Sequence, residues 1–170
     1  LLPAGGGLKE ICRRASAWSA QVPDGNPYAF VRRGFENAAA AKVSMSAHEA
    51  REQGWLNPSD RIVFHKSRVI AEAKKVAISL AEAGYTPPDR EERIEVIGAN
   101  RGASFLLGAK MFEWGGYASA HDHLIGTKIA NVLSGGMPRV PTTLTAQDLL
   151  DLEREAFISL CGEEKTLARI

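Results

Sequence analysis

The sequence predicts a mainly α fold with one or two very short strands. Three observations support this prediction: apolar residues recur at helical spacing through most of the chain, capping residues and glycines bound those stretches, and strand-like segments are few and brief. The 170 residues fit one domain, or one domain with an appendage. Hydrophobic residues make up 45% of the chain and charged residues 24%, so the composition favours a folded protein over a disordered one.

Two helices are predicted at the start of the chain. The first follows a run of glycines, and its apolar stripe consists of Leu8, Ile11, Cys12, Ala15 and Trp18. The turn-forming segment "QVPDGNP" (21–27) then separates it from the second helix. That helix begins near Pro27, because proline suits a first helical turn. Its large apolar residues are Tyr28, Phe30, Val31 and Phe35.

A short capped helix, a strand and a long helix are predicted next. Ser46 and Glu49 have the spacing of a capping box, and Gly54 is placed to end that helix in a left-handed conformation. The segment "DRIVF" (60–64) is the clearest strand candidate. A helix is predicted from Ser67 to Ala83, with an apolar face formed by Val69, Ile70, Ala73, Val76, Ala77 and Leu80.

The second half of the chain predicts three more helices. After the polar joint "TPPDREE" (86–92), the segment 93–103 is a candidate for a second short extended piece, and a helix is predicted from Ala103 to Trp114. Ser119 is placed to cap the next helix, which runs to Leu133. The last begins near Thr145 and is interrupted at Gly162, and its apolar stripe is Leu149, Leu152, Ala156, Phe157 and Leu160.

Charge and cysteine content exclude several classes of protein. A net charge of +1 is too small to indicate a nucleic-acid or anionic-membrane partner. No apolar run approaches the length of a membrane span, and no signal-peptide pattern is present. Cys12 and Cys161 lie at opposite ends of the chain and have no metal-ligand spacing. We therefore expect a cytoplasmic protein in a reducing compartment.

The opening stretch "LLPAGGGLKE" allows two interpretations. Backbone N–H groups at a helix N-terminus bind anions, and glycines permit the close approach of a ligand. However, the stretch matches neither the dinucleotide-binding fingerprint nor the P-loop. A tight turn into a helix that packs against a neighbour is the simpler interpretation, and both remain open at this point.

The remaining titratable residues do not assemble a catalytic site in the sequence. His121 and His123 lie two positions apart, so on a helix their side chains point about 200° apart and do not chelate one metal. His48 and His65 are isolated, and no serine lies in a nucleophile elbow. We therefore expect no metal and no cofactor in this chain itself.

Two segments of the chain resemble the crotonase (enoyl-CoA hydratase/isomerase) superfamily. The opening "LLPAGGGLKEI" resembles the family's Gly-Leu-x-Pro-x-x-Gly-Gly segment, where Pro3, Gly6 and Gly7 match and Ala4 replaces a frequent glycine. The segment 41–64 resembles the stretch that leads to a turn and a short strand, through Ser46, Ala47, Glu49, Ala50 and Gly54. Residues 116–136 and 149–170 resemble the C-terminal tail of fused proteins that carry an NAD-dependent 3-hydroxyacyl-CoA dehydrogenase unit followed by an enoyl-CoA hydratase unit.

This resemblance carries expectations about the site and its ligands. Family members hold two catalytic glutamates and two oxyanion-hole N–H groups upstream of the Pro-x-x-Gly-Gly stretch, so no catalytic residue falls in this chain. The resemblance implies that Pro3, Ala4, Gly6 and Gly7 line the acyl pocket. It also implies an acyl-CoA thioester as the substrate of the parent protein and NAD as the cofactor of its dehydrogenase unit.

We therefore expect the helical C-terminal portion of a crotonase-type domain from a fatty-acid β-oxidation enzyme. Residues 1–85 would form the C-terminal half of the crotonase-like core, and residues 86–170 a helical C-terminal extension. The absence of an initial methionine and the helical pattern that continues to Ile170 predict a piece of a larger protein, which is inactive alone.

Without the upstream half of the crotonase-type domain, apolar surface on helices 8–21 and 27–40 is expected to be exposed and to drive self-association. The alternative is a non-catalytic helical assembly or an acyl-CoA-docking module.

Overall fold

A computed structural model describes residues 2–3, 5–89, 91–140 and 142–168, and it confirms the mainly α fold class. The elements, in chain order, are α1 (Gly7–Ser19), α2 (Tyr28–Ala39), α3 (Ala47–Glu52), a 3-10 turn (Lys66–Arg68), α4 (Val69–Glu82), β1 (Ile94–Glu95), α5 (Gly98–Trp114), α6 (Ala120–Leu133), β2 (Thr143–Leu144), α7 (Ala146–Cys161) and α8 (Glu164–Leu167). None of the helices within the described residues has the length and apolar character needed to cross a membrane.

The chain divides into two compact units. The first comprises the described residues of 1–42 and 90–170, and the second comprises residues 43–89. The sequence predicts a boundary between residues 85 and 86, where a crotonase-like core would give way to a C-terminal extension. The division into compact units does not test that assignment, so the boundary stays a prediction.

Helix α6 lies at the centre of the first unit, where it packs against α1, α2, α5 and α7. Its buried residues span about half of the circumference, as expected for a helix with neighbours on several sides. Ile129, Ala130, Val132 and Leu133 are accordingly fully buried. The surrounding helices complete the core with Leu8, Cys12, Val31, Phe35, Phe105, Leu149 and Leu160.

The helix starts that the sequence marks most clearly are confirmed. The Ser119 hydroxyl accepts a hydrogen bond from the Asp122 N–H at 3.2 Å, and the Asp122 carboxylate accepts one from the Ser119 N–H at 3.0 Å. Thr145 and Asp148 form the same reciprocal pair at the start of α7, with distances of 3.1 and 2.9 Å. Such pairs satisfy backbone N–H groups that have no partner within the helix.

The second unit contains α3, the 3-10 turn and α4. Ser46 caps α3 by accepting a hydrogen bond from the Glu49 N–H at 3.1 Å, and Gly54 has the predicted left-handed backbone, with a φ of 84°. Helix α4 also forms as predicted, but its apolar residues face solvent, and Ile70 is 84% exposed. Among the residues of α4, the buried one is Glu72.

Three details of the sequence prediction are wrong. The segment 60–64 is not a strand, because the described residues of its unit include no second strand with which it could pair. Helix α5 begins at Gly98 rather than Ala103, so only Ile94 and Glu95 of the predicted extended piece are a strand. Their partner β2 was not predicted. It pairs antiparallel with β1, with Ile94 opposite Leu144 and Glu95 opposite Thr143.

Most of the apolar surface expected to be exposed on the first two helices is covered, although Phe30 of α2 is 43% exposed. Leu8, Cys12 and Ala15 of α1 are buried, and so are Val31 and Phe35 of α2. Helices α1 and α2 pack against each other, and both contact α6. The C-terminal half of the chain therefore supplies the surface that covers these stripes.

Candidate functional site

The glycine loop, residues 2–7, leads into α1 through two left-handed residues. Gly5 has a φ of 76° and Gly6 a φ of 92°, a region that side-chain-bearing residues adopt at a cost. Gly7 begins the helix, and a Cβ atom there would lie 2.9 Å from Cβ of Pro3. The predicted site residue Ala4 lies outside the described residues. The Gly-Gly pair is thus explained by the left-handed backbone at Gly6 and by the close approach of Pro3 to Gly7.

A carboxylate from the far end of the chain binds the N-terminus of α1. Glu153 of α7 accepts a hydrogen bond at Oε1 from the Gly6 N–H at 3.0 Å and one at Oε2 from the Lys9 N–H at 3.2 Å. Gly6, which caps the helix, has no side chain to serve these donors. The glycine run is therefore a turn against a neighbouring helix, as the simpler interpretation predicts, and the anion bound by these N–H groups is a side chain of the protein.

Glu153 also changes the electrostatics of the first unit. Its side chain is buried, with 4% exposure. Burial, together with the negative charge of Glu153, raises the pKa of the Cys12 thiol to about 12. The Cys12 thiol donates a hydrogen bond to the Leu133 carbonyl at 3.5 Å. Cys12 therefore stays protonated at neutral pH and is not a nucleophile.

A groove of about 410 Å³ lies between the glycine loop and α7. Gly6 is the predicted site residue that lines it, together with Leu2, Gly5, Gln147, Leu150, Glu153, Arg154 and Phe157. Among the charged side chains that line the groove, Arg154 forms a salt bridge with Asp151 at 2.8 Å. Pro3 and Gly7 support the loop without lining this groove. The assignment of the loop to an acyl pocket stays a prediction.

A second, apolar cavity of about 260 Å³ lies between α2, α5 and α6. Phe105 stacks on Phe35 with ring centroids 4.5 Å apart and on Tyr28 with centroids 5.8 Å apart. Arg32 on the rim pairs with Glu36 at 3.3 Å. The interior thus suits an apolar group, while these two rim charges neutralise each other.

The second unit holds a cluster of three cations around Glu72. The Glu72 carboxylate lies 2.7 Å from Arg61, 3.1 Å from Lys75 and 3.3 Å from Arg68. The hydrogen bond from Lys75 and the charges of all three cations hold the pKa of Glu72 below its usual value. This cluster ties α4 to the preceding segment.

His121 and His123 each lie beside a polar partner. His121 is buried, and its Nε2 lies 3.0 Å from the Thr166 hydroxyl. His123 Nδ1 lies 3.1 Å from Glu113. Across the described residues, no three His, Cys, Asp or Glu side chains form a group that would hold a metal ion.

Sequence reasoning missed Glu153, although its position carries a signal. The buried residues of α7 are Leu149, Glu153, Ala156 and Leu160, which follow one helical face at intervals of four, three and four. A charged residue in the middle of an apolar stripe requires a buried partner. The sequence does not indicate which partner, since the two donors lie 147 and 144 positions away.

Comparison with known proteins gives one informative relative. The chain is 39% identical, over its whole length, to a probable 3-hydroxyacyl-CoA dehydrogenase of Bacillus subtilis (strain 168). The alignment covers 21% of that relative, so the chain spans about a fifth of the length of the curated protein that it matches. No protein-family model matches the chain, and no solved structure matches it significantly.

Proposed function

We propose that this chain is the C-terminal part of a fatty-acid β-oxidation enzyme that joins a 3-hydroxyacyl-CoA dehydrogenase unit to a crotonase-type enoyl-CoA hydratase unit. The similarity to a probable 3-hydroxyacyl-CoA dehydrogenase along the whole chain is the observation that carries this proposal. The resemblance of the glycine loop and of residues 41–64 to the crotonase superfamily supports the hydratase part. The whole protein would be cytoplasmic, with an acyl-CoA thioester as substrate and NAD as the cofactor of the dehydrogenase unit.

The reaction proposed for the hydratase unit is the addition of water across the 2,3 double bond of an enoyl-CoA. Carboxylates move the protons, and backbone N–H groups stabilise the thioester enolate. Under this proposal, residues that precede Leu1 supply those groups. This chain supplies a wall of the acyl pocket through Pro3, Ala4, Gly6 and Gly7, and residues 86–170 extend the unit.

The coding sequence upstream of Leu1 tests the proposal. We expect it to encode a glutamate a few residues before the glycine loop, an oxyanion-hole glycine farther upstream, and an NAD-binding unit before that. An upstream sequence that lacks all three, or a start codon directly before Leu1, would contradict the proposal.

A non-catalytic helical assembly module is the second candidate, because α4 exposes an apolar face. Val69, Ile70, Ile78 and Leu80 on this helix are all exposed, which is typical of a surface that binds another protein. The partner under this candidate is a second copy of the chain. Light scattering tests it: we expect an oligomer for the natural chain and a monomer for Ile70→Lys, whereas a natural chain that is already monomeric contradicts self-association.

A further inference from the structure

We propose that Glu153 is a positioning residue that holds the glycine loop in place from α7. The inference rests on the proposed function, in which this loop forms a wall of the acyl pocket. It extends that function by making a residue from the C-terminal segment a determinant of the shape of the pocket.

The hydrogen bonds of Glu153 fix the loop at two points. Oε1 binds the N–H of Gly6 at 3.0 Å, before the helix begins, and Oε2 binds the N–H of Lys9 at 3.2 Å, within the first turn. A carboxylate that binds with both oxygens fixes orientation as well as distance. The first turn of α1 and the loop are therefore held to α7 as one piece.

The burial of Glu153 makes these bonds hard to replace. The side chain is 4% exposed, and none of the salt bridges formed by the described residues includes Glu153. Its compensation comes from the two N–H groups and from the positive end of the α1 dipole. A glutamine in its place would turn an NH₂ group toward one of these N–H donors, and one bond would be lost.

Close packing transmits the position of α7 to the loop. A Cβ atom on Gly6 would lie 3.2 Å from Cδ2 of Leu150, one helical turn before Glu153. Gly6, Leu150 and Glu153 also line the same groove. A loop released from Glu153 would therefore change the width of the space beside it.

The test compares Glu153→Gln and Glu153→Asp with the control Glu155→Gln in the full-length protein. Glu155 lies on the same helix but is exposed, so the control makes the same change of charge without the buried bonds. One measurement is amide hydrogen exchange in residues 5–10. The other is kcat/KM for a short-chain and a long-chain 2-enoyl-CoA.

For Glu153→Gln we expect exchange in residues 5–10 to rise about tenfold, the effect of losing one hydrogen bond to a charged group. The ratio of long-chain to short-chain kcat/KM should change by a factor of about three or more, because moving a pocket wall affects substrates of different length unequally. Glu153→Asp keeps the charge and should fall between Glu153→Gln and the natural protein, and Glu155→Gln should match the natural protein.

Unchanged exchange and an unchanged chain-length ratio in Glu153→Gln would overturn the inference. Loss of protection throughout the first unit in both Glu153 variants would also overturn it, because Glu153 would then be a general determinant of folding. If the natural full-length protein hydrates no 2-enoyl-CoA, the proposed function fails instead. The exchange measurement still decides in that case whether Glu153 holds the loop.

Discussion

At the scale of single residues, burial determines which polar groups influence one another's charge. Glu153 and Cys12 are both buried in the first unit, and the carboxylate contributes to the raised pKa of the thiol. The sequence predicts that Cys12 belongs to an apolar stripe, because its neighbours at helical spacing are apolar. It does not predict the pair, because the two residues meet only after α7 packs on α1.

The two cysteines should differ sharply in their reaction with a thiol reagent. Cys161 is exposed, whereas Cys12 is buried with a pKa of about 12. In the native chain we expect one fast-reacting thiol, which the substitution Cys161→Ser removes, and two reactive thiols after unfolding. Two fast-reacting thiols in the native chain, measured by absorbance of the released chromophore, would contradict the burial of Cys12.

Asp148 should make stability depend on pH in the acid range. Its pKa is lowered from 3.8, first by the hydrogen bond from the Thr145 backbone and then by that from the Thr145 side chain. Because the folded pKa lies below the unfolded value, the contribution of Asp148 is present above pH 3.8 and is lost as the pH falls through the folded pKa.

We therefore expect Asp148→Asn to lower the urea midpoint of unfolding at neutral pH. Below pH 5, about one unit above the unfolded pKa, the midpoint should fall less steeply with decreasing pH than it does for the natural chain. Glu155→Gln controls for the loss of one surface charge. If the urea midpoints of Asp148→Asn and the natural chain change in parallel with pH, the stability of the cap does not depend on the ionisation of Asp148.

At the scale of helices and strands, the sequence predicts helix starts, which depend on neighbouring residues, but it does not predict which strands pair. The cap at Ser119 was predicted because the capping residue and its partner lie within one turn, and the start of the last helix near Thr145 was predicted from its apolar stripe. The sheet was missed because Ile94 and Leu144 are distant in the chain. The segment 60–64 has the composition of a strand, but a strand also needs a partner, and its own sequence carries no information about one.

The packing of α5 against the segment that follows α6 depends on a close approach at Gly102. A Cβ atom there would lie 2.8 Å from Cβ of Ser134 and 2.6 Å from the sulfur of Met137. We expect Gly102→Ala to destabilise the chain by about 1–3 kcal/mol, because α5 and the segment with Ser134 and Met137 must move apart. The measurement is the free energy of unfolding in urea.

Gly108 on the same helix provides the matched control. A Cβ atom there has no neighbour within 4 Å. Gly108→Ala should stabilise the chain by about 0.5–1 kcal/mol, since alanine favours a helix more than glycine does. Equal effects of the two substitutions would show that α5 and the segment that follows α6 do not pack as described.

At the scale of the whole molecule, the described residues contain a packed helical unit and no group of three His, Cys, Asp or Glu side chains that would hold a metal ion. Helices α1 and α2 pack against each other and against α6, with α7 on α1 and α5 on α2, so the first unit has its own core. The glycine loop lies at the edge of this unit, where Glu153 holds it. The chain spans about a fifth of the length of the relative that it matches, and under the proposed function the chemistry belongs to the whole protein.

Hydration of crotonyl-CoA tests this account most directly, measured side by side for the full-length protein and for the isolated chain of 170 residues. We predict turnover by the full-length protein and none by the isolated chain, whose helical content should be intact by circular dichroism. Turnover by the isolated chain, or a folded full-length protein that hydrates no 2-enoyl-CoA, would contradict the account.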